Sequence, residues 1–189
     1  MTSRTADSVR LALPAEAAQL AALQRRAWAA RGEVGAAALA GIDLAAMVAG
    51  WEDAIARPPL ARCRVLVAVD GSGGVVGFAT TLPSTDSDAE QGSDGEVGEF
   101  VVDPVSVGRG HGSRLLHACV DTLRADGFSR ARCWLASDDD ALRRFLVEAG
   151  WAPDGAHREL GAEDGTVRLR QVRLHTDITP SPDPQEESR

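Results

Sequence analysis

The sequence EVGEFVVDPVSVGRGHGSRLL, residues 96–116, predicts a strand, a glycine-rich turn and the start of an amphipathic helix in direct succession. The strand ends at Pro104. Gly108, Gly110 and Gly112 remove side chains where the strand passes into the helix. Backbone N–H groups and the positive end of the helix dipole can therefore meet an anion there, such as a phosphate or pyrophosphate. A purely structural turn is the alternative.

Two familiar phosphate-binding motifs do not fit this turn. A Walker loop needs GxxxxGK[ST], and the chain contains no lysine. The dinucleotide fingerprint GxGxxG would need a glycine at Ser113, and several strands precede the turn instead of a repeated βαβ array. The sequence therefore excludes a P-loop NTPase and gives poor support for a Rossmann domain.

The elements on both sides of this stretch predict an α/β or α+β layer structure around one mixed sheet. The predicted order is β-α-α-β-β-β-α-β-α-β-β, with a loop over residues 151–165. We expect one domain over residues 8–176. The proline-rich, polar tail over residues 177–189 is expected to be disordered.

Composition indicates which kinds of partner this protein can bind and in which compartment it is expected. The 189 residues carry a net charge of −8, so no basic surface for nucleic acid is expected. No long apolar segment or signal peptide is visible, which predicts a cytoplasmic protein without a membrane partner. The three cysteines form no CxxC pair and are interpreted as core residues. All basic residues are arginine, as in high-GC bacterial coding sequences, and tyrosine is absent.

Several segments resemble the GNAT superfamily of acyl-CoA-dependent N-acetyltransferases. VGRGHG, residues 107–112, resembles the family's pyrophosphate loop [Q/R]-x-x-G-x-[G/A], with Val107 where the family usually has Gln or Arg. DGEVGEFVVDP is similar to the family's fourth strand. WLASDDDALRRFLVEAGWAPDG is similar to its segment W-V-L-x-x-N-x-x-A-x-x-F-Y-x-x-x-G-F. The resemblance extends over nearly the whole of residues 8–176.

The resemblance implies a mixed, mostly antiparallel sheet of six to seven strands flanked by about four helices. Acetyl-CoA or another acyl-CoA would bind where two strands splay apart, and no metal would be required. The backbone of Phe100, Val101 and Val102 would bind the pantetheine arm like an added strand, and an N–H there would polarise the thioester carbonyl. The remaining residues implied to bind the cofactor are Val107, Gly108, Arg109, Gly110, His111, Gly112, Ser113 and Asp139.

Three of the aligned positions carry a further expectation. Asp139 aligns with the family's cofactor-side Asn, but capping of the following helix is the favoured interpretation. His111 is expected to be a surface residue beside the loop. Leu146 lies where many family members have a tyrosine that protonates the leaving thiolate, and no tyrosine elsewhere in this chain can replace it.

Glu96 and Glu99 are the candidate catalytic residues. Glu96 aligns with a position at which several family members have a glutamate that takes a proton from the amine. Glu99 would lie on the opposite face of an unbulged strand, so at most one of the two is expected to act. The alternative is that both are solvated strand charges.

The function implied is transfer of an acetyl or acyl group to a primary amine of a small molecule or peptide. The alternative is a catalytically reduced module that binds acyl-CoA as a sensor or in an interaction. A cysteine nucleophile is a distant third, because no cysteine has a clear basic partner in the sequence. Oligomeric state cannot be read from the chain, and a homodimer is left open.

The segment from Pro83 to Gly95 is predicted to be a solvated, mobile loop. It contains four acidic residues and no basic one, Asp86, Asp88, Glu90 and Asp94. In this family such a loop lies near the acceptor side, so its charge would attract a cationic amine. The alternative is that the acids only keep the protein soluble.

Overall fold

The structure is a computed structural model that describes residues 6–161 and 168–179. These residues form one seven-stranded sheet in the order β1-β2-β3-β4-β5-β7-β6. The strands are β1 (Ser8–Leu11), β2 (Arg64–Val69), β3 (Val75–Pro83), β4 (Asp94–Val102), β5 (Arg130–Ala136), β6 (Ala152–Gly161) and β7 (Arg168–Asp177). The helices are α1 (Ala17–Ala29), α2 (Gly32–Ala40), α3 (Leu44–Ala56), α4 (His111–Ala125) and α5 (Asp140–Glu148).

Strand pairing confirms a mixed, mostly antiparallel sheet. The central pair β4 and β5 is parallel, and each of the other neighbouring pairs is antiparallel. The prediction of a loop over residues 151–165 is wrong for residues 152–161, because Ala152–Gly161 forms the edge strand β6 against β7, and residues 162–165 lie outside the described residues. Pro153 and Gly155 are residue types typical of turns, so the sequence here lacks a strand pattern. They lie where the register of β6 shifts.

Helices cover both faces of the sheet, and each side has its own apolar core. On one side, α1 and α3 pack on β2, β3 and β4 through residues that include Leu20, Leu23, Val67 and Phe78. On the other side, α4 and α5 pack through a larger cluster that contains Leu115, Leu123, Leu146 and Leu174. We call the first side, on which α1 packs, the α1 face.

The C-terminal boundary lies later than the sequence predicts. Strand β7 ends at Asp177, and Ile178 is 1% exposed within the larger core. Its N–H donates to Ser129 O at 2.8 Å, and its carbonyl accepts from Arg124 Nε at 2.8 Å. Ile178 therefore belongs to the domain because burying its side chain stabilises the fold. The rest of the predicted tail from residue 180 lies outside the described residues.

Within the described part of the chain, no helix is both long enough and apolar enough to cross a membrane.

Candidate functional site

The sheet opens between β4 and β5. The two strands pair only over the first four residues of β4, Asp94–Val97. Beyond them β4 continues beside β3 and β5 continues beside β7, so the central strands separate. Backbone groups on the opened edge of β4 can therefore pair with an extended ligand. Phe100, Val101 and Val102 lie on this edge, where the pantetheine arm is expected.

A β-bulge lies in β4 just where the opening begins. Thr80 of β3 faces two residues of β4, Gly98 and Glu99. Thr80 Oγ1 accepts a hydrogen bond from the backbone N–H of Glu99 at 3.0 Å. A Cβ atom on Gly98 would lie 2.5 Å from the same oxygen. The bulge therefore depends on a glycine at this position.

The bulge changes which residues of β4 share a face. Val97 and Phe100 would lie on opposite faces of a regular strand, but both pack in the core on the side of α4. Val101 packs in the core on the α1 face. Glu96 and Glu99 consequently both lie on the α1 face. The expectation that they occupy opposite faces is wrong, because it holds only for an unbulged strand and the bulge adds one residue between them.

The carboxyl group of Glu96 is half-buried beside Ser84, whose Oγ lies 3.4 Å from Glu96 Oε2. Burial raises the pKa of this carboxyl group, and the negative charge of Asp86 raises it further. The positive charges of Arg158 and Arg132 act in the opposite direction. The result is a carboxylate that holds a proton more readily than an exposed glutamate does.

Glu99 lies under the C-terminal half of α1. Burial raises the pKa of its carboxyl group, while the charge of Arg31 and the polar side chains of Gln24 and Trp28 act against this shift. Both sequence-predicted glutamates therefore have environments that suit a proton acceptor.

The register places further polar residues on the same face. Arg132 of β5 lies opposite Glu96, so Trp134, two residues along, shares its face. Trp134 lies opposite Arg173 of β7, whose face also includes Gln171. Arg158 of β6 lies opposite Gln171. The α1 face therefore carries a continuous polar surface from the opening of the sheet to its edge.

Ion pairs hold the acidic loop, the segment from Pro83 to Gly95, against this surface. Arg173, at 5% exposure, bonds Asp86 Oδ2 at 2.8 Å and Asp88 Oδ2 at 2.6 Å. Arg132, at 4% exposure, bonds Asp94 Oδ2 at 2.7 Å. The prediction of a solvated loop whose acids lack basic partners is therefore wrong. Its arginine partners lie on distant strands, which local sequence cannot reveal.

These ion pairs remove the basis for electrostatic attraction of a cationic amine by the loop. Three of its four acids, Asp86, Asp88 and Asp94, accept from arginine side chains. Their charge is largely neutralised within the fold. Neutralising the four acids by mutation would test the packing of the loop and not its attraction for an acceptor.

The glycine-rich turn leads into α4 as the sequence predicts. Gly108 and Gly110 adopt positive φ angles of 79° and 80°, and Gly110 is the N-cap of α4. Within residues 6–161 and 168–179, none of the backbone N–H groups of residues 107–113 donates to a protein acceptor. A run of free N–H groups at the positive end of a helix fits the pyrophosphate of a CoA ester.

Side chains around the turn differ in their exposure. Val107 is 67% exposed and brings no charge to the turn. Arg109 and Ser113 are also exposed. His111 is 4% exposed, so its predicted surface position is wrong. It begins the helix face that also buries Leu115, and its Nδ1 lies 4.0 Å from Asp7 Oδ2.

The sequence matches a family model described as "Acetyltransferase (GNAT) family" over residues 27–151. The chain belongs to the GNAT acetyltransferase family. Transfer of an acyl group from an acyl-CoA is the general activity of that family. No curated protein sequence matches the chain.

Solved structures share the GNAT fold over nearly the whole chain. One is yncA of Salmonella typhimurium, solved with its cofactor acetyl-CoA, at a TM-score of 0.69 and 21% identity, covering 96% of this chain and 99% of its own. An N-acetyltransferase of Staphylococcus aureus matches at 0.71 and 16%, covering 93% and 100%. The ribosomal-protein-S18-alanine N-acetyltransferase of Escherichia coli matches at 0.63 and 15%, covering 94% and 97%.

Two other aligned GNAT positions have clear structural roles. Asp139 caps α5, because its Oδ1 accepts from Leu142 N–H at 3.0 Å, and its Oδ2 pairs with Arg31 Nη2 at 3.2 Å. Its expected contact with the cofactor remains a prediction. Leu146 is 1% exposed in the larger core. This GNAT protein therefore presents neither a phenol nor any other proton donor at that position.

Sequence reasoning missed the arginines and the tryptophan of the α1 face. Arg158 lies in the segment interpreted as a loop, and Trp134 and Arg173 lie in strands interpreted without their neighbours. The sequence of the last strand shows arginines at 168, 170 and 173, but only the register of the sheet places Arg173 on the α1 face and the other two on the opposite face. Only the fold brings these side chains to the same site as the glutamates.

Proposed function

We propose that this GNAT protein transfers an acetyl group from acetyl-CoA to a primary amine of a small molecule or peptide. The observation that carries the proposal is the placement of Glu96 and Glu99 on one face of β4, beside the opening between β4 and β5. A base beside the acyl-binding edge is what amine acylation needs, because the ammonium form cannot attack.

The residues around the opening have distinct parts in binding. The N–H groups of residues 107–113 bind the pyrophosphate, supported by the dipole of α4. The opened edge of β4 at Phe100, Val101 and Val102 binds the pantetheine arm through backbone hydrogen bonds. One N–H of this edge stabilises the negative charge that develops on the thioester oxygen. Acetyl-CoA supplies an acyl carbon already activated as a thioester.

Glu96 takes the proton that the acceptor ammonium loses, directly or through one water. The amine nitrogen then bonds to the acyl carbon and gives its second proton to water, and the bond from that carbon to sulfur breaks. Coenzyme A leaves as a thiolate and takes its proton from water. A thiol with an ordinary pKa near 8.5 is a fair leaving group near neutral pH, so no phenol at Leu146 is required.

Replacing Glu96 by glutamine tests the proposed base. We expect kcat/KM at neutral pH to fall about a hundredfold, the usual contribution of a general base. The activity of Glu96→Gln should rise toward higher pH, where free amine is more abundant. The wild-type profile should instead rise with the deprotonation of Glu96, whose pKa lies above its usual value. The measurement is kcat/KM against pH for both proteins.

Glu99→Gln is the matched control, because it removes a second carboxylate from the same face. If Glu96 is the base, Glu99→Gln should retain the pH dependence of the wild type. A Glu96→Gln profile that overlays the wild type would contradict the assignment. Displacement of the profile by Glu99→Gln alone would transfer the role to Glu99.

A catalytically reduced acyl-CoA-binding module is the second candidate. Leu146 and Val107 favour it, because both depart from the residues usual in the family. The two candidates differ in release of free CoA thiol when acetyl-CoA is mixed with a panel of primary amines. We expect amine-dependent release that saturates with amine concentration. Tight acetyl-CoA binding without release by any amine would favour the module.

A further inference from the structure

Arg158 stands on the α1 face of the sheet, on the same side as the two glutamates. It lies on β6 opposite Gln171, and Gln171 lies opposite Ala136 at the end of β5. Trp134 precedes Ala136 by two residues and shares its face. The Arg158 side chain therefore lies against Trp134 of β5, the strand that borders the opening across from β4.

The guanidinium of Arg158 is held mainly by uncharged groups. Its central carbon lies 4.2 Å from the centre of the Trp134 ring, and its Nε donates to Gln171 Oε1 at 2.7 Å. These contacts fix the plane of the guanidinium before a ligand binds. An oriented guanidinium is suited to bidentate binding of a carboxylate.

Among the described residues, the carboxylate nearest to Arg158 forms only a weak ion pair with it. Asp86 Oδ1 lies 3.9 Å from Arg158 Nη1. Asp86 already accepts from Trp134 Nε1 at 3.1 Å and from Arg173 Nη1 at 2.8 Å. The side chain of Arg158 is 38% exposed. A positive charge is thus left accessible beside the candidate base Glu96, on which it also acts electrostatically.

We propose that Arg158 binds a carboxylate of the acceptor and so directs the acceptor's amine toward Glu96. The inference rests on the proposed function and names its substrate class as a small amino carboxylate. The paired acids of the loop support this choice over a cationic acceptor, since their charges are already occupied by Arg132 and Arg173.

The kinetic test compares L-amino acids with their own carboxamides as acceptors. Each pair keeps the amine and removes the carboxylate charge, and spermidine serves as a cationic comparator. We expect the wild type to have the lower KM for the carboxylates. Arg158→Gln should raise KM for the carboxylates about tenfold or more, with little change for the carboxamides and a smaller effect on kcat. Arg158→Lys should recover part of the loss.

Arg170→Gln provides the matched control. Arg170 lies in β7 one residue before Gln171, on the opposite face of the sheet, and its side chain is 79% exposed. The same charge is removed, so a general electrostatic effect would appear in both variants. We expect Arg170→Gln to leave the ratio of the two KM values unchanged. An equal rise of KM for carboxylates and carboxamides in Arg158→Gln, or wild-type preference for spermidine, would overturn the proposal.

Titration of the CoA-saturated protein with the same L-amino acids and carboxamides gives a readout apart from turnover. Tighter binding of the carboxylates that Arg158→Gln weakens supports the proposal even if no amine is acetylated, in which case the proposed function alone fails. Equal binding of carboxylates and carboxamides by the wild type would overturn the proposal even if amines are acetylated.

Discussion

Replacing Gly112 by aspartate is expected to lower the affinity for acetyl-CoA at least a hundredfold while the fold is retained. The substitution places a negative charge in the first turn of α4, where it repels the pyrophosphate and offsets the positive potential of the helix N-terminus. Like charges brought together at a binding site cost several kcal/mol, which corresponds to two or more powers of ten in Kd. Isothermal titration with acetyl-CoA measures the effect, and circular dichroism checks the fold.

Gly112→Ala adds a small side chain without a charge, so it separates the effect of volume from the effect of charge. A Cβ atom on Gly112 would lie 3.6 Å from Phe145 Cζ and 3.7 Å from Val102 Cγ2, which are ordinary contacts. Gly112 also lacks the positive φ that would strain a substitution at Gly110. We expect the alanine variant to bind much more tightly than the aspartate variant. Unchanged affinity in a folded Gly112→Asp would place the pyrophosphate elsewhere.

The glycine-rich turn of the proposed cofactor site could be predicted because its residues are consecutive. A turn with Gly108, Gly110 and Gly112 between a strand and an amphipathic helix already specifies a run of free N–H groups at a helix start. Nothing from a distant part of the chain is needed to form it. The structure adds the φ angles of the turn and corrects the exposure of His111, and binding of pyrophosphate at the turn stays a prediction.

The proposed acceptor side could not be predicted in the same way, because it depends on the register of separate strands. The bulge at Gly98 and Glu99 is visible only once β4 is paired with β3, and it reverses the relation between the two glutamates. Arg158 lies beside Trp134 on the α1 face only because β6 pairs with β7. Neither the pairing of β3 with β4 nor that of β6 with β7 can be inferred from a short stretch of sequence.

The acidic loop also depends on contacts with distant strands. Its acids have no basic neighbour in the sequence, and a solvated loop is the natural interpretation of that pattern. Two arginines on β5 and β7, Arg132 and Arg173, are buried beneath it and need negative partners. The arginines can be buried because the loop folds over them and its acids pair with them. These acids therefore stabilise the fold, and their charge is not free to attract a substrate.

Replacing Arg173 by glutamine is expected to cause the largest loss of stability, a decrease of about 3 kcal/mol in the free energy of unfolding. The variant removes the partner of Asp86, Asp88 and Asp154, which Arg173 bonds at 2.8, 2.6 and 2.7 Å. Removing one side of a buried ion pair leaves the other charges uncompensated. The value lies at the lower end of the range for buried pairs because Asp88 is 58% exposed. Denaturant unfolding at neutral pH measures it.

The pH dependence gives a second readout of the same contacts. Hydrogen bonds from Arg173 hold the pKa of Asp88 far below its ordinary value in the folded protein. Such a carboxylate stabilises the fold above the pKa it has when unfolded, near 4, and that contribution is lost as the pH falls below it. The wild type should therefore lose stability on acidification more steeply than Arg173→Gln. Arg168→Gln removes an arginine that is 69% exposed and paired with Glu159, and should change stability by less than about 1 kcal/mol. Equal losses in the two variants would mean that the buried pairs under the loop contribute no more than a surface ion pair.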